Sequence, residues 1–142
     1  MQVTQAHKDY SATPLPKKLG IREGSRILLV SAPKELPDRL RPMPTGASIV
    51  SRLSRDLDVV VVFATAQREL ERRFPKLVAS LAPDGRLWVA WPKKASGVPT
   101  DVTFESAQSL GLAAALVDNK SASITDVFQG LQFVVRLKDR PR

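Results

Sequence analysis

Apolar residues fall along the chain as short unbroken runs, separated by one segment spaced at helical intervals. Residues 26–31 (RILLVS) and 58–64 (DVVVVFA) are runs of aliphatic side chains with no polar alternation. A strand buried on both faces of a parallel sheet reads this way, because neither face meets water. The second run, rich in β-branched residues, predicts the centre of the sheet. Residues 47–53 and 86–91 (RLWVAW) predict two more strands, and residues 113–121 and 127–137 a closing pair joined around Thr125 and Asp126. From Ala66 onward, Leu70, Phe74, Leu77, Val78 and Leu81 recur at helical spacing, with Arg68, Glu69, Glu71, Arg72 and Arg73 on other faces. Pro75 predicts a break or kink that leaves two helical pieces. Pro83-Asp84-Gly85 predicts a turn in which glycine takes positive φ. Residues 103–110 predict a second helix, ended by Gly111. Four prolines between Pro33 and Pro44 exclude a long helix there and leave at most one turn at 36–40.

Strand, helix, strand, helix and a final strand pair is the alternation of an α/β fold. The expectation is a single Rossmann-like three-layer domain, with a mostly parallel sheet ending in an antiparallel strand pair. Residues 1–19 mix prolines, serine and lysines without periodicity and predict a flexible lead-in. The domain then spans 20–138 and a basic tail 139–142. A chain of 142 residues holds one such core. Its longest apolar run, residues 59–64, is far short of the roughly 18 needed to cross a bilayer, and the polar start MQVTQAHKDY lacks a signal-peptide pattern. A cytoplasmic protein is expected.

Charge and composition narrow the chemistry. The net charge of +8 sits mainly at the ends, with +3 in residues 1–26 and +3 in residues 134–142. Basic ends of this kind are usually solvated, and a nucleic-acid accessory role through them is the weaker reading. No cysteine is present and His7 is the single histidine, which excludes a disulfide framework, thiolate metal sites and a histidine-based metal centre or triad. Asp56 and Asp58 flank a strand start, where carboxylates commonly serve as caps, and no acid–base partner stands near them. The first strand runs into SAPKE with no glycine-rich turn, so the usual backbone cradle for a dinucleotide is missing.

The segment after the fourth strand carries the candidate site. In WPKKASGVPTD, residues 91–101, prolines limit mobility on a loop that leaves the carboxyl end of a buried strand. Ligands of open α/β sheets bind at that edge. Lys93 and Lys94 are candidate anion partners, Ser96 a hydroxyl donor, and Gly97 a point of close backbone approach. Thr100, Asp101 and Thr103 are candidate caps for the following helix. The plain alternative is an ordinary solvent-facing turn with structural caps. Trp88 and Trp91, three residues apart, are predicted on opposite faces of their strand, with Trp91 able to wall a pocket.

Two resemblances follow from these motifs. KLGIREG (18–24), SAP (31–33), LAPDGRLWVAWPKKASGVPTD (81–101), DNK (118–120) and FQGLQFV (128–134) resemble a family of small uncharacterised bacterial proteins, a domain of unknown function with a WPKK-SG loop. That family is usually tryptophan where Phe128 stands here, and it implies a compact domain with no assigned activity. The order of DVVVVFAT, helix, Pro-Asp-Gly and RLWVAW is similar, more distantly, to class I methyltransferases. That resemblance implies a truncated methyltransferase-like fold, and the absent glycine-rich loop implies a lost methyl donor.

The leading expectation is a binding domain for an anionic ligand, a phosphate, nucleotide or acidic partner, at the 93–103 loop. A methyltransferase-like enzyme is the alternative, with a substitute cofactor pocket near residues 31–34 and Thr65. Neither the cofactor, the reaction nor the oligomeric state is specified by the sequence.

Overall fold

A computed structural model describes residues 13–140; the readings for residues 1–12 and 141–142 lie outside the described residues. Six strands form one sheet in the order β2-β1-β3-β4-β6-β5. They are β1 (Arg26–Val30), β2 (Ser48–Val50), β3 (Leu57–Phe63), β4 (Leu81–Pro92), β5 (Leu116–Ser123) and β6 (Phe128–Val135). The first four are parallel, and β6 runs antiparallel to both β4 and β5. This is the predicted α/β sheet with its closing antiparallel pair. Strand β3 is buried on both faces over nearly its whole length, as its unbroken valine run requires.

Helices cover the two faces unequally. On one face α3 (Gln67–Ala79) and α4 (Phe104–Ala113) press Leu70, Phe74, Leu77 and Ala107 onto Val60, Val62, Leu87, Val89, Trp91 and Phe133. On the other, α1 (Leu15–Leu19) and the single turn α2 (Leu36–Arg39) bring Leu15, Leu19, Leu36 and Leu40 onto Ile27, Val59, Val61 and Trp88. Trp88 and Trp91 thus serve opposite cores, as their odd spacing dictates. Trp88 is fully buried and its indole N–H donates to the Leu19 carbonyl at 3.1 Å.

Five sequence expectations are corrected. Residues 15–19, placed in the lead-in, form α1, whose Leu15 and Leu19 belong to the core; four basic and proline neighbours had masked two correctly spaced leucines. β2 covers 48–50, not 47–53. α3 runs unbroken through Pro75, because Pro75 and Glu71 both lie on the exposed face. Water there can serve the carbonyl that proline leaves without a donor. Residues 83–85 form no turn ahead of β4 but an excursion inside it, between the pairs Leu57↔Leu81 and Val59↔Arg86. Gly85 is needed there for space and not for positive φ, since a Cβ would stand 2.7 Å from the Leu57 carbonyl oxygen. Gly111 lies within α4 and does not end it, and the helix closes at Ala114 with Ala115 at φ 64. Its missing side chain makes room for the Phe133 ring.

Candidate functional site at the carboxyl edge of the sheet

Strand order reverses between β1 and β3, and the carboxyl ends of β1, β3 and β4 open on one edge of the sheet. Two depressions lie along it. The larger, about 760 Å³, is walled by Trp91, Lys93, Lys94, Gly97, Phe104, Glu105 and Gln129. The smaller, about 390 Å³, is lined by Ser31, Phe63, Thr65, Glu69 and Phe128 at the β1/β3 reversal.

The 93–103 loop is held by its own hydrogen bonds. Lys93 N–H donates to the Val127 carbonyl at 2.8 Å, and its ammonium to Ser123 Oγ at 2.7 Å, so this cation is drawn toward β5. Lys94 begins a short 3-10 turn (Lys94–Ser96) and is exposed. Gly97 closes that turn at φ 75, with open space where a Cβ would stand. The Ser96 hydroxyl donates to the Lys93 carbonyl at 2.6 Å and accepts from Val98 N–H at 3.2 Å, which commits it to the loop. It is not the free donor expected from sequence.

Of the three expected caps, Thr103 and Asp101 serve different helices and Thr100 caps neither. Thr103 caps α4, accepting from Ser106 N–H at 3.0 Å while the Ser106 hydroxyl accepts from Thr103 N–H at 2.9 Å. Asp101 caps α3 instead, accepting from Gln67 N–H at 2.7 Å. The Thr100 hydroxyl donates to the Thr65 carbonyl at 2.7 Å, where Asp101 N–H also donates at 3.3 Å. Ser106 reaches the Gln67 side chain at 2.8 Å. The loop is therefore fastened to the β3–α3 connection that walls the smaller cleft. Gln67, Ser106, Ser123 and Gln129 were not anticipated; only the Thr103-x-x-Ser106 spacing carried a signal, and serine in place of glutamate obscured it.

Electrostatic anchoring beside the smaller cleft comes from Glu69. Its carboxylate binds the Arg72 and Arg73 guanidiniums, and the Arg72 bond, then the Arg73 bond, hold its pKa below 4.5. The turn after β1 is Ser31-Ala32-Pro33, with Ser31 at φ 57 and no glycine. The residues after β2 are Ser51 and Arg52, with no carboxylate. Asp58, the better placed of the two strand-start aspartates, accepts from Arg26 N–H at 2.8 Å and is structural. No group of three or more His, Asp or Glu side chains that could hold a metal occurs among the described residues. Nor is any described helix long and apolar enough to cross a membrane.

No protein-family model matches the chain, and no curated protein matches its sequence. Solved structures do. A SAM-dependent methyltransferase from Aquifex aeolicus superposes with a TM-score of 0.57 at 13% identity, over 84% of this chain and 87% of that one. The chain shares the backbone fold of that solved structure. A putative methyltransferase from Thermoplasma acidophilum gives 0.55 at 10% identity, over 83% of this chain and 71% of that one. A putative type 11 methyltransferase from Sulfolobus solfataricus gives 0.53 at 10% identity, over 83% and 88%. At such identities the likeness is one of backbone path, and the methyltransferase-like order read from DVVVVFAT to RLWVAW is upheld at that level.

Proposed function

We propose that the protein is a methyltransferase-like binding domain that has given up the methyl donor and takes a compact anion in the larger depression. The observation that carries this is the 93–103 loop, whose two lysines stand on a frame pinned by Thr100, Asp101 and Thr103. A frame fixed before binding loses little conformational freedom when a ligand arrives. Lys93 and Lys94, both on the wall of the depression, supply the charge that meets the anion. We also place the chain, on the WPKK-SG motif alone, with the small bacterial proteins that carry that loop.

The fold favours a second reading, a donor-dependent methyltransferase using the β1/β3 cleft. A nucleoside cofactor in an open α/β sheet is held by backbone N–H groups of a glycine-rich turn after the first strand and by a carboxylate after the next. Here those places hold Ser31-Ala32-Pro33 and Ser51-Arg52, and α2 has only four residues. The residues present do not fit the group.

Calorimetry with S-adenosylmethionine and S-adenosylhomocysteine separates the readings, beside thermal shifts with phosphate, pyrophosphate and ADP. An anion should raise the melting temperature of the parent and not of the Lys93→Ala/Lys94→Ala variant, with no heat from the donor. Equal anion responses in both proteins overturn the first reading. Donor binding with amide shifts at Ser31 and Thr65 establishes the second.

A further inference from the structure

Parallel strands of one sheet are normally joined by a crossover of a dozen or more residues, usually a helix that covers the sheet. The β2-to-β3 connection breaks that rule. It passes over β1 in residues 51–56, between Val50 and Leu57, and contains no helix. The α3-side face above β1 is left as an open groove of about 390 Å³. Its floor and outer wall are Leu28, Val30 and Leu53, and its inner wall is the flank of α3 with Leu77. Leu53 is 43% exposed although it is among the larger apolar side chains of the region.

The inner rim is cationic. Arg72, Arg73 and Lys76 line it at successive turns of α3. Arg72 and Arg73 share one carboxylate, Glu69, and Lys76 has no ion-pair partner among the described residues, so the rim keeps an excess of positive charge. An apolar trough with a basic margin, lying where a crossover helix would cover the sheet, sets the chemistry of what fills it. A second copy of this chain is disfavoured, because each copy carries +8.

We infer that this groove docks an amphipathic helix of a partner protein, with leucine-like side chains on one face and aspartate or glutamate along its flank. The apolar face replaces water over Val30 and Leu53, and the acidic flank meets Arg72, Arg73 and Lys76. The site is separate from the anion depression, which lies at the carboxyl end of β4.

Two fluorescein-labelled synthetic helices test it, with leucines at i, i+3, i+4 and i+7 and either glutamate or lysine at the flanking positions. Anisotropy should show the glutamate peptide binding at least tenfold tighter than the lysine peptide, with affinity falling as salt is added. Leu53→Asp and Lys76→Glu change exposed side chains, so both variants should melt near the parent and each should weaken the glutamate peptide about tenfold. Amide shifts on binding should cluster at Val30, Leu53, Lys76 and Leu77. Lys93→Ala/Lys94→Ala should bind the peptide as the parent does, which keeps this result apart from that for the anion site. Equal affinity for the two peptides, or no effect of Leu53→Asp and Lys76→Glu, overturns the inference. So does concentration-dependent dimerisation of the parent that Leu53→Asp abolishes, since a second copy would then be the occupant.

Discussion

Substituting Gly111 by alanine sets two effects of opposite sign against each other. In the middle of a helix the change should stabilise by about 1 kcal/mol, since alanine loses less backbone freedom on folding. At this position the new methyl meets the Phe133 ring, with Cζ at 2.7 Å and two further ring carbons nearer, against the 3.4 Å of ordinary contact. Phe133 cannot easily retreat. It is fully buried and set edge-on against Phe74, with ring centroids 6.4 Å apart. Overpacking of this kind costs about 1–3 kcal/mol, and the overlap here places it at the upper end. The packing effect wins, and Gly111→Ala should lose about 1–2 kcal/mol net. For a chain of this size that lowers the melting temperature by roughly 3–8 °C. Urea denaturation followed by tryptophan fluorescence should show an earlier midpoint at unchanged slope. A glycine needed only to end the helix would also resist alanine, so the decisive variant is Gly111→Ala with Phe133→Leu. The smaller side chain should absorb the methyl, and the double-mutant cycle should give a coupling of about 1 kcal/mol or more. Gly111→Ala as stable as the parent, or a cycle with no coupling, refutes the packing argument.

Asp101→Ala should cost about 1 kcal/mol by removing the cap on Gln67 N–H, with Asp101→Ser recovering most of it in the same denaturation series. Trp88→Phe should cost about 2–3 kcal/mol, because it shrinks a fully buried side chain and leaves the Leu19 carbonyl without its donor. Lys120 should titrate below the ordinary lysine value of 10.5, chiefly through burial and then through the charges of Arg86 and Lys18. The folded state then gives up this proton first, so the group's contribution to stability rises with pH between its folded midpoint and 10.5. NMR titration of the lysine side chains checks this, and Arg86→Met should move the midpoint upward.

The core strands were legible because burial leaves a local mark. A run such as DVVVVFA can satisfy neither face with water, and its place in the sheet follows from that alone. The opposite faces of Trp88 and Trp91 followed from a period of two. The positions that went astray were those whose meaning lay in a distant partner. Gly111 reads as a stop until Phe133 is beside it, and Gly85 as a turn until the Leu57 carbonyl is found against it. Pro75 reads as a break unless the exposed face on which it lies is known.

The candidate site divides the same way. The sequence by itself determined a stiff, doubly basic loop at the exit of a buried strand, because proline, glycine and lysine act through their own backbone and charge. Only the tertiary structure decided that Asp101 caps α3 and not α4, that Thr100 is spent on Thr65, and that Lys93 leans toward Ser123. Those contacts join residues some 30 or more positions apart in the chain. No local pattern encodes such a pairing, since it is the packing of α3, α4 and the strand ends around one edge that brings donor and acceptor within reach.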